Sequence, residues 1–218
     1  MNGGSRSHPH DNAIQDFQRK RQELTVRAVC GRSYVRVTQL EEWMKSVGPG
    51  NLTQAHRLLH AAYRERQLPG FPISADHICS QHLESRCVFV FSILLEINRA
   101  ELIDRFLRMD VVDHRLPLSL EGLRSKLQDF GDWERLAAEF YRAQWQFCPV
   151  RFRLRMPGMY QEERILPVCR KTFINKGGFA EVWQILVQED FVGAELGNYV
   201  VDNPHAVIDD DEFGKVST

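Results

Sequence analysis

Between residues 173 and 191 the chain reads FINKGGFAEVWQILVQEDF, and the adjacent Gly177 and Gly178 stand between two runs of alternating apolar residues. Glycine in such a place serves one of two ends. Backbone N–H groups free of side-chain bulk can close on a phosphate, or the chain can simply reverse between two strands, because glycine reaches left-handed conformations at little cost. A second group has the residue types of a metal site: His77, Cys79, His82 and Cys87 lie within the stretch HICSQHLESRC. Tetrahedral zinc needs four donors on one ion at about 2.0–2.3 Å. Neither a paired-cysteine spacing nor a second ligand pair supports it here, so surface histidines and core thiols are the expected outcome. His56 and His60 stand four residues apart on a helical pattern. They lack the intervening glutamate of a metalloprotease helix and are expected to face solvent. No strained turn or signature surrounds any cysteine or histidine to mark a nucleophile.

Asp129-Phe130-Gly131 spells the tripeptide whose aspartate holds magnesium in protein kinases. In a kinase it follows the glycine-rich loop, whereas here it precedes Gly177 and closes a helical pattern. Phe130 is therefore expected to be the last apolar residue of a helix, with Gly131 as its stop and Asp132 as the cap of the next. The glycine segment itself fits the frame G-x-G-x-x-G-x-V in part. Asn175 stands at the first glycine, Gly177 at the second, Ala180 at the third and Val182 at the valine that packs on adenine. Phe179 falls where an aromatic caps the phosphates. Asn tolerates positive φ better than most residues and Ala is small, so the backbone could survive both substitutions. Local sequence leaves the phosphate loop and a hairpin turning at Lys176-Gly177-Gly178 both open. As a loop, its nucleotide-binding residues would be Gly177, Gly178, Phe179 and Val182.

The elements that must position these residues follow from periodicity. Residues 1–12 are polar and expected to be disordered, and a helical domain is expected over 13–147. Thr38 and Glu41 have capping-box spacing ahead of Leu40, Trp43, Met44 and Val47. Gly48-Pro49-Gly50 breaks that helix, and Leu52, Ala55, Leu58, Leu59, Ala62 and Tyr63 restart the pattern. Arg86 to Met109, apolar nearly all round in its first half, suits the central helix of a bundle. Ser119 precedes a helix using Leu120, Leu123, Leu127 and Phe130, and Trp133 to Trp145 supplies another apolar face. From Phe147 the period becomes alternating at Val150, Phe152 and Leu154. A hairpin with strands near 170–175 and 181–188 completes a small antiparallel β segment over 148–191. The acidic residues 192–218 are expected to be a mobile tail. The fold class expected is α+β, mostly α-helical with the β segment last.

Composition narrows the function classes. The chain has 218 residues, 43% of them hydrophobic, and a formal net charge of -1. Its longest apolar run, CVFVFSILL, falls far short of the ~20 residues needed to cross a bilayer, and the polar N-terminus lacks a secretory signal. An intracellular location, cytoplasmic or nuclear, is expected. Five cysteines without repeated spacing argue against a disulfide framework. Residues 186–218 carry eight acids against the single base Lys215. The compensating positive charge is spread over several helices rather than gathered in one aromatic-laced stripe, so nucleic acid is not an expected partner.

Taken in order, CVFVFSILLEINRAELIDRF, LPLSLEGLRSKL, AQWQFCPVRFRL and RILPVCRKTFINKGGFAEVWQILVQEDFVG resemble the N-terminal region of a group of fungal protein-kinase-like proteins. There a helical segment leads through a strand and an ILP segment into the glycine-rich loop of the kinase small lobe, and the likeness covers about residues 30–195. The resemblance implies a serine/threonine kinase architecture whose full-length members use ATP and magnesium. After Val182 such a kinase needs a third strand with a lysine for the α/β-phosphates, a helix with its glutamate partner, a catalytic aspartate and a magnesium-binding aspartate. Lys215 is the only lysine after that point, and it lies outside an apolar strand. The expectation is a catalytically incomplete N-terminal portion of a kinase-like protein, truncated before its large lobe, with no cofactor of its own. The alternative is a non-enzymatic helical module that binds a protein partner and uses its C-terminal strands as a docking edge.

Overall fold

In the computed structural model the described residues are 12–64, 72–153, 161–176, 181–202, 207–210 and 214–217. They form an α+β fold, mostly α-helical with small antiparallel sheets, and the chain divides into two compact units. One comprises residues 1–24 and 37–144, the other residues 25–36 and 145–218.

The first unit is helical. Its helices are α1 (Ala13–Glu23), α2 (Val37–Lys45), α3 (Gln54–Ala62), α4 (Ala75–Ile78), α5 (Val88–Glu96), α6 (Ile103–Arg108), α7 (Leu120–Leu127) and most of α8 (Trp133–Phe147). Three of these starts are fixed by a hydroxyl that accepts a backbone N–H from the first turn. Thr53 accepts from His56, Ser74 from His77 and Ser119 from Gly122. The capping box expected at Thr38 does not form, because α2 already begins at Val37. Glu41 instead turns its carboxylate to Lys45 at 2.7 Å and to Arg86 at 3.3 Å.

The α5 stretch is buried on nearly every side, from Val88 to Leu95. The single helix expected from Arg86 to Met109 is broken after it. Asn98 takes a left-handed conformation at φ 55°, and a short 3-10 turn, Ala100–Leu102, leads into α6. Asparagine is one of the few residues that enters that region readily, so the break falls where the sequence can bear it. Around α5 the apolar core of the unit includes Phe17, Leu40, Met44, Leu58, Ile78, Phe91, Phe106 and Phe140, all fully buried. The one arginine buried in the apolar core, among the described residues, is paired. Arg57, only 2% exposed, reaches Gln54 at 2.6 Å and Asp16 at 3.0 Å.

The second unit begins with a hairpin inside the stretch that periodicity assigned to helices. Strands β1 (Thr25–Arg27) and β2 (Ser33–Val35) pair antiparallel, with Gly31 at φ 82° in the turn. The larger sheet has the order β3-β4-β6-β5, built from β3 (Val168–Lys176), β4 (Glu181–Gln188), β5 (Val207–Asp210) and β6 (Gly214–Ser217), all antiparallel. Helix α9 (Ala194–Asp202) lies between β4 and β5 in sequence. The acidic stretch expected to be a mobile tail therefore carries a helix and two paired strands.

The strand expected around Val150 to Leu154 reduces to one bridge, Phe152 with Val192. Val150 donates its N–H to Ile165, so the segment is held by single bonds rather than a ladder. Leu154 lies outside the described residues. None of the five cysteines is in a disulfide. Among the described residues no helix is long and apolar enough to cross a membrane.

Candidate functional site

The glycine segment joins β3 to β4. Strand register brings Phe173 opposite Trp183, Asn175 opposite Val182 and Lys176 opposite Glu181, so the last described pair stands on either side of residues 177–180. Gly177, Gly178, Phe179 and Ala180 lie outside the described residues; of the four expected nucleotide-binding residues only Val182 is described. It is 51% exposed.

Why this hairpin forms is local. Valine, isoleucine, phenylalanine and tryptophan on the two strands favour the pleated ladder, and two adjacent glycines are suited to the reversal between them. Two register shifts, between Val168 and Arg170 and between Phe173 and Asn175, each insert an extra residue into β3, an arrangement that bends and twists a strand. Asn175 does not use the left-handed freedom that the loop frame would ask of its first position. It is a strand residue paired with Val182, and its side-chain Oδ1 accepts the N–H of Lys176 at 2.7 Å.

The base of the hairpin is anchored and its far half is not. Val168, Leu186, Val187 and Gln188 are buried. Below them Tyr34 of β2, fully buried, donates its hydroxyl to Gln188 Oε1 at 3.3 Å and lies 3.4 Å from Cys169 Sγ. Its ring meets Phe191 edge-on at 5.1 Å. Burial first, and the neighbouring Cys169 next, push the Tyr34 phenol up out of its ordinary range, so it stays a protonated donor. Toward the tip, Phe173, Ile174, Val182 and Trp183 are all exposed large apolar residues. Phe173 and Trp183 pack edge-to-face at 5.2 Å, and Lys171 Nζ sits 3.8 Å from the Trp183 ring centre. A cavity lined by Arg170, Thr172, Gln184, Ile185 and Leu186 has about 10 Å³, room for a water but not for a nucleotide.

Lys215, expected outside an apolar strand, falls on the short polar strand β6, opposite Asp209 of β5. The hydrogen bonds of β6 to β4 and β5, rather than apolar character, put it there.

The other candidate residues lie in the helical unit. His77 and His82 are exposed, Cys79 is half-buried and Cys87 is fully buried at the start of α5. Burial pushes the Cys79 thiol up to about 11 and raises Cys87 further still, which keeps both protonated rather than poised as thiolates. No group of three or more His, Cys, Asp or Glu that could hold a metal ion occurs among the described residues. Phe130 is buried and carries Arg105 over its ring at 5.3 Å, while Asp132 pairs with Arg99 through two hydrogen bonds. Asp129-Phe130-Gly131 thus sits at a helix-to-helix corner of the helical unit. His56 and His60 depart from expectation: both are half-buried, and their Nε2 atoms approach to 3.0 Å.

Among the buried acids that sequence reasoning missed is Asp113. Its Oδ1 accepts the N–H groups of Phe89 at 2.9 Å and Val90 at 3.1 Å, capping α5 from outside the helix. The cap position itself is Cys87, which contributes no side-chain hydrogen bond. A capping acid 26 residues downstream of its cap position leaves no local spacing to detect.

Comparison with protein-family models, with curated proteins and with solved structures finds no match.

Proposed function

We propose that this chain carries the glycine-loop hairpin of a protein-kinase-like small lobe behind a helical unit, and that these 218 residues by themselves do not transfer phosphate. The observation that supports the kinase-like assignment is the register: two antiparallel strands whose last described pair, Lys176 and Glu181, encloses the glycine segment and leaves Val182 exposed next to it. Phosphoryl transfer is catalysed by positioning and electrostatics, through a lysine on the phosphates, carboxylates on magnesium and a base near the acceptor hydroxyl. Beyond the hairpin the sequence supplies one lysine, Lys215, paired with an acidic strand. The family activity would be ATP-dependent phosphorylation of protein serine or threonine, and the chain itself needs no cofactor.

Two measurements test this. Calorimetry of the chain with ATP and magnesium should give no binding, and micromolar binding abolished by Gly177→Val would overturn the claim of inactivity. For the assignment itself, residues 168–188 are placed in an active kinase in exchange for its own glycine-loop hairpin. The chimera should bind ATP, and Asn175→Gly with Ala180→Gly should strengthen that binding; a folded chimera indifferent to both changes counts against it.

A second role, a non-enzymatic protein-interaction module, is favoured by the exposed Phe173, Ile174, Val182 and Trp183. Exposed apolar clusters are common at protein contacts. Under this role Trp183→Ser removes partner capture while leaving the helical unit's melting unchanged.

A further inference from the structure

Strand β3 ends the four-stranded sheet. The order β3-β4-β6-β5 gives it β4 as a neighbour on one side, and among the described residues no strand or isolated bridge meets it on the other. From Arg170 to Lys176 every residue is exposed. Such an edge presents backbone donors and acceptors that a further strand can use.

The side chains along it say which strand. Register sets Lys171 opposite Ile185, Phe173 opposite Trp183 and Lys176 opposite Glu181. Alternation puts Glu181, Trp183 and Ile185 on one face of β4, so Lys171, Phe173 and Lys176 share that face of β3. The extra residue between Phe173 and Asn175 is what brings Lys176 to it. A base, an aromatic ring and a second base therefore stand in line on the edge strand. Trp183 holds the first two, packing against Phe173 edge-to-face and lying beneath Lys171 Nζ. Arg170 is a third base, with an interaction of its own, and β3 contains no acid.

Charge separates the possible occupants. Two copies of β3 joined antiparallel about Phe173 would bring Arg170 and Lys171 of each toward Lys176 of the other, and like charges opposite each other destabilise a ladder. Lysines on an edge thus repel a strand like their own. A strand with acids opposite the two lysines and an apolar residue opposite Phe173 gains an opposite-charge pair at each end and an apolar contact between them. Lys176 already faces Glu181 across the hairpin, so Lys171 contributes most of the selection.

We infer that the free edge of β3 takes an extended acidic segment of a partner protein, whose side chains on one face run acid, apolar, acid. The inference rests on the protein-interaction role above and names the chemistry of its partner. Main-chain hydrogen bonds attach the segment, and Lys171, Phe173 and Lys176 select it.

The test uses the full chain and a fluorescent peptide that alternates threonine with glutamate, phenylalanine and glutamate, followed by anisotropy. The expected result is saturable binding that weakens about fivefold or more in Lys171→Glu. A peptide with one glutamate replaced by lysine should regain affinity for that variant. N-methylation of alternate peptide residues removes ladder donors and should abolish binding to the wild type, a result that does not depend on any variant folding. Absence of saturable binding overturns the inference, as does equal binding of the N-methylated peptide. Displacement of the peptide by oligothymidylate would assign the face to nucleic acid, and a sedimenting dimer that the peptide breaks would assign the edge to a second copy; either overturns it. The broader interaction role fails on a different result, partner capture unaffected by Trp183→Ser.

Discussion

Asp113 shows how a single residue can hold opposing terms. Two backbone N–H groups and Arg86 favour its charged form, but burial opposes them and prevails, pushing the carboxyl up to about 7 from an ordinary value of 3.8. A folded-state value above the unfolded one means the native state binds the proton more tightly. Asp113 therefore contributes stability that is fully present below pH 4 and is lost as the pH rises toward and through 7. Asp113→Asn keeps an oxygen acceptor for Phe89 and Val90 but never ionises. Its melting temperature relative to wild type should climb between pH 4 and pH 7, on the order of 1.4 kcal/mol for each pH unit in that window. A variant that instead loses ground above pH 4 would show that the helix end and Arg86 outweigh burial. Nothing in the spelling of the chain near Asp113 marks it; the same is true of the His56–His60 contact, because spacing gives a shared face and not ring orientation.

At the scale of elements, polar side chains fix joints that hydrophobic pattern leaves loose. Gln144 of α8, fully buried, accepts the N–H of Leu118 and donates to its carbonyl, each at 2.8 Å, and so clamps the segment leading into α7. Gln144→Leu keeps the bulk and removes both bonds, leaving two backbone groups without these partners at a cost of about 2 kcal/mol. Urea unfolding of the variant should show a lowered midpoint, and an unchanged midpoint would mean that water replaces the clamp. The hairpin β3–β4 follows a different rule. Its strand limits are readable from β-favouring residues on either side of the paired glycines, since both signals are local. The break between α5 and α6 is less so: Asn98 lies within a run whose apolar pattern continues to Leu107, and its φ of 55° shows that the chain turns there.

At the scale of the molecule, chain order and unit membership part company. Residues 25–36 leave the helical unit after α1, contribute β1 and β2 to the second unit, and the chain then returns as α2. Tyr34 and Val35 are fully buried there, and Arg32 reaches the carbonyls of Glu162 and Arg164. A fragment beginning at Trp145 should consequently lack a cooperative thermal transition by circular dichroism, having lost Tyr34 from beneath Gln188 and Phe191. A sharp two-state melt of residues 145–218 alone would contradict that dependence.

The sequence by itself determined the elements whose signals are local: most helices, the hydroxyl cap at Ser119, the hairpin limits around the glycines and the α+β class. Hydrophobic period and turn chemistry act over a few residues, so they can be read without knowing what lies opposite. The tertiary structure alone decided that Tyr34 of β2 reaches Gln188 of β4, 154 residues further along the chain, that Glu41 answers Arg86 instead of its own helix end, and that Asp113 caps α5. Each of those depends on which distant group arrives to satisfy a buried donor or acceptor, and such a partner is chosen by packing in three dimensions rather than by spacing along the chain.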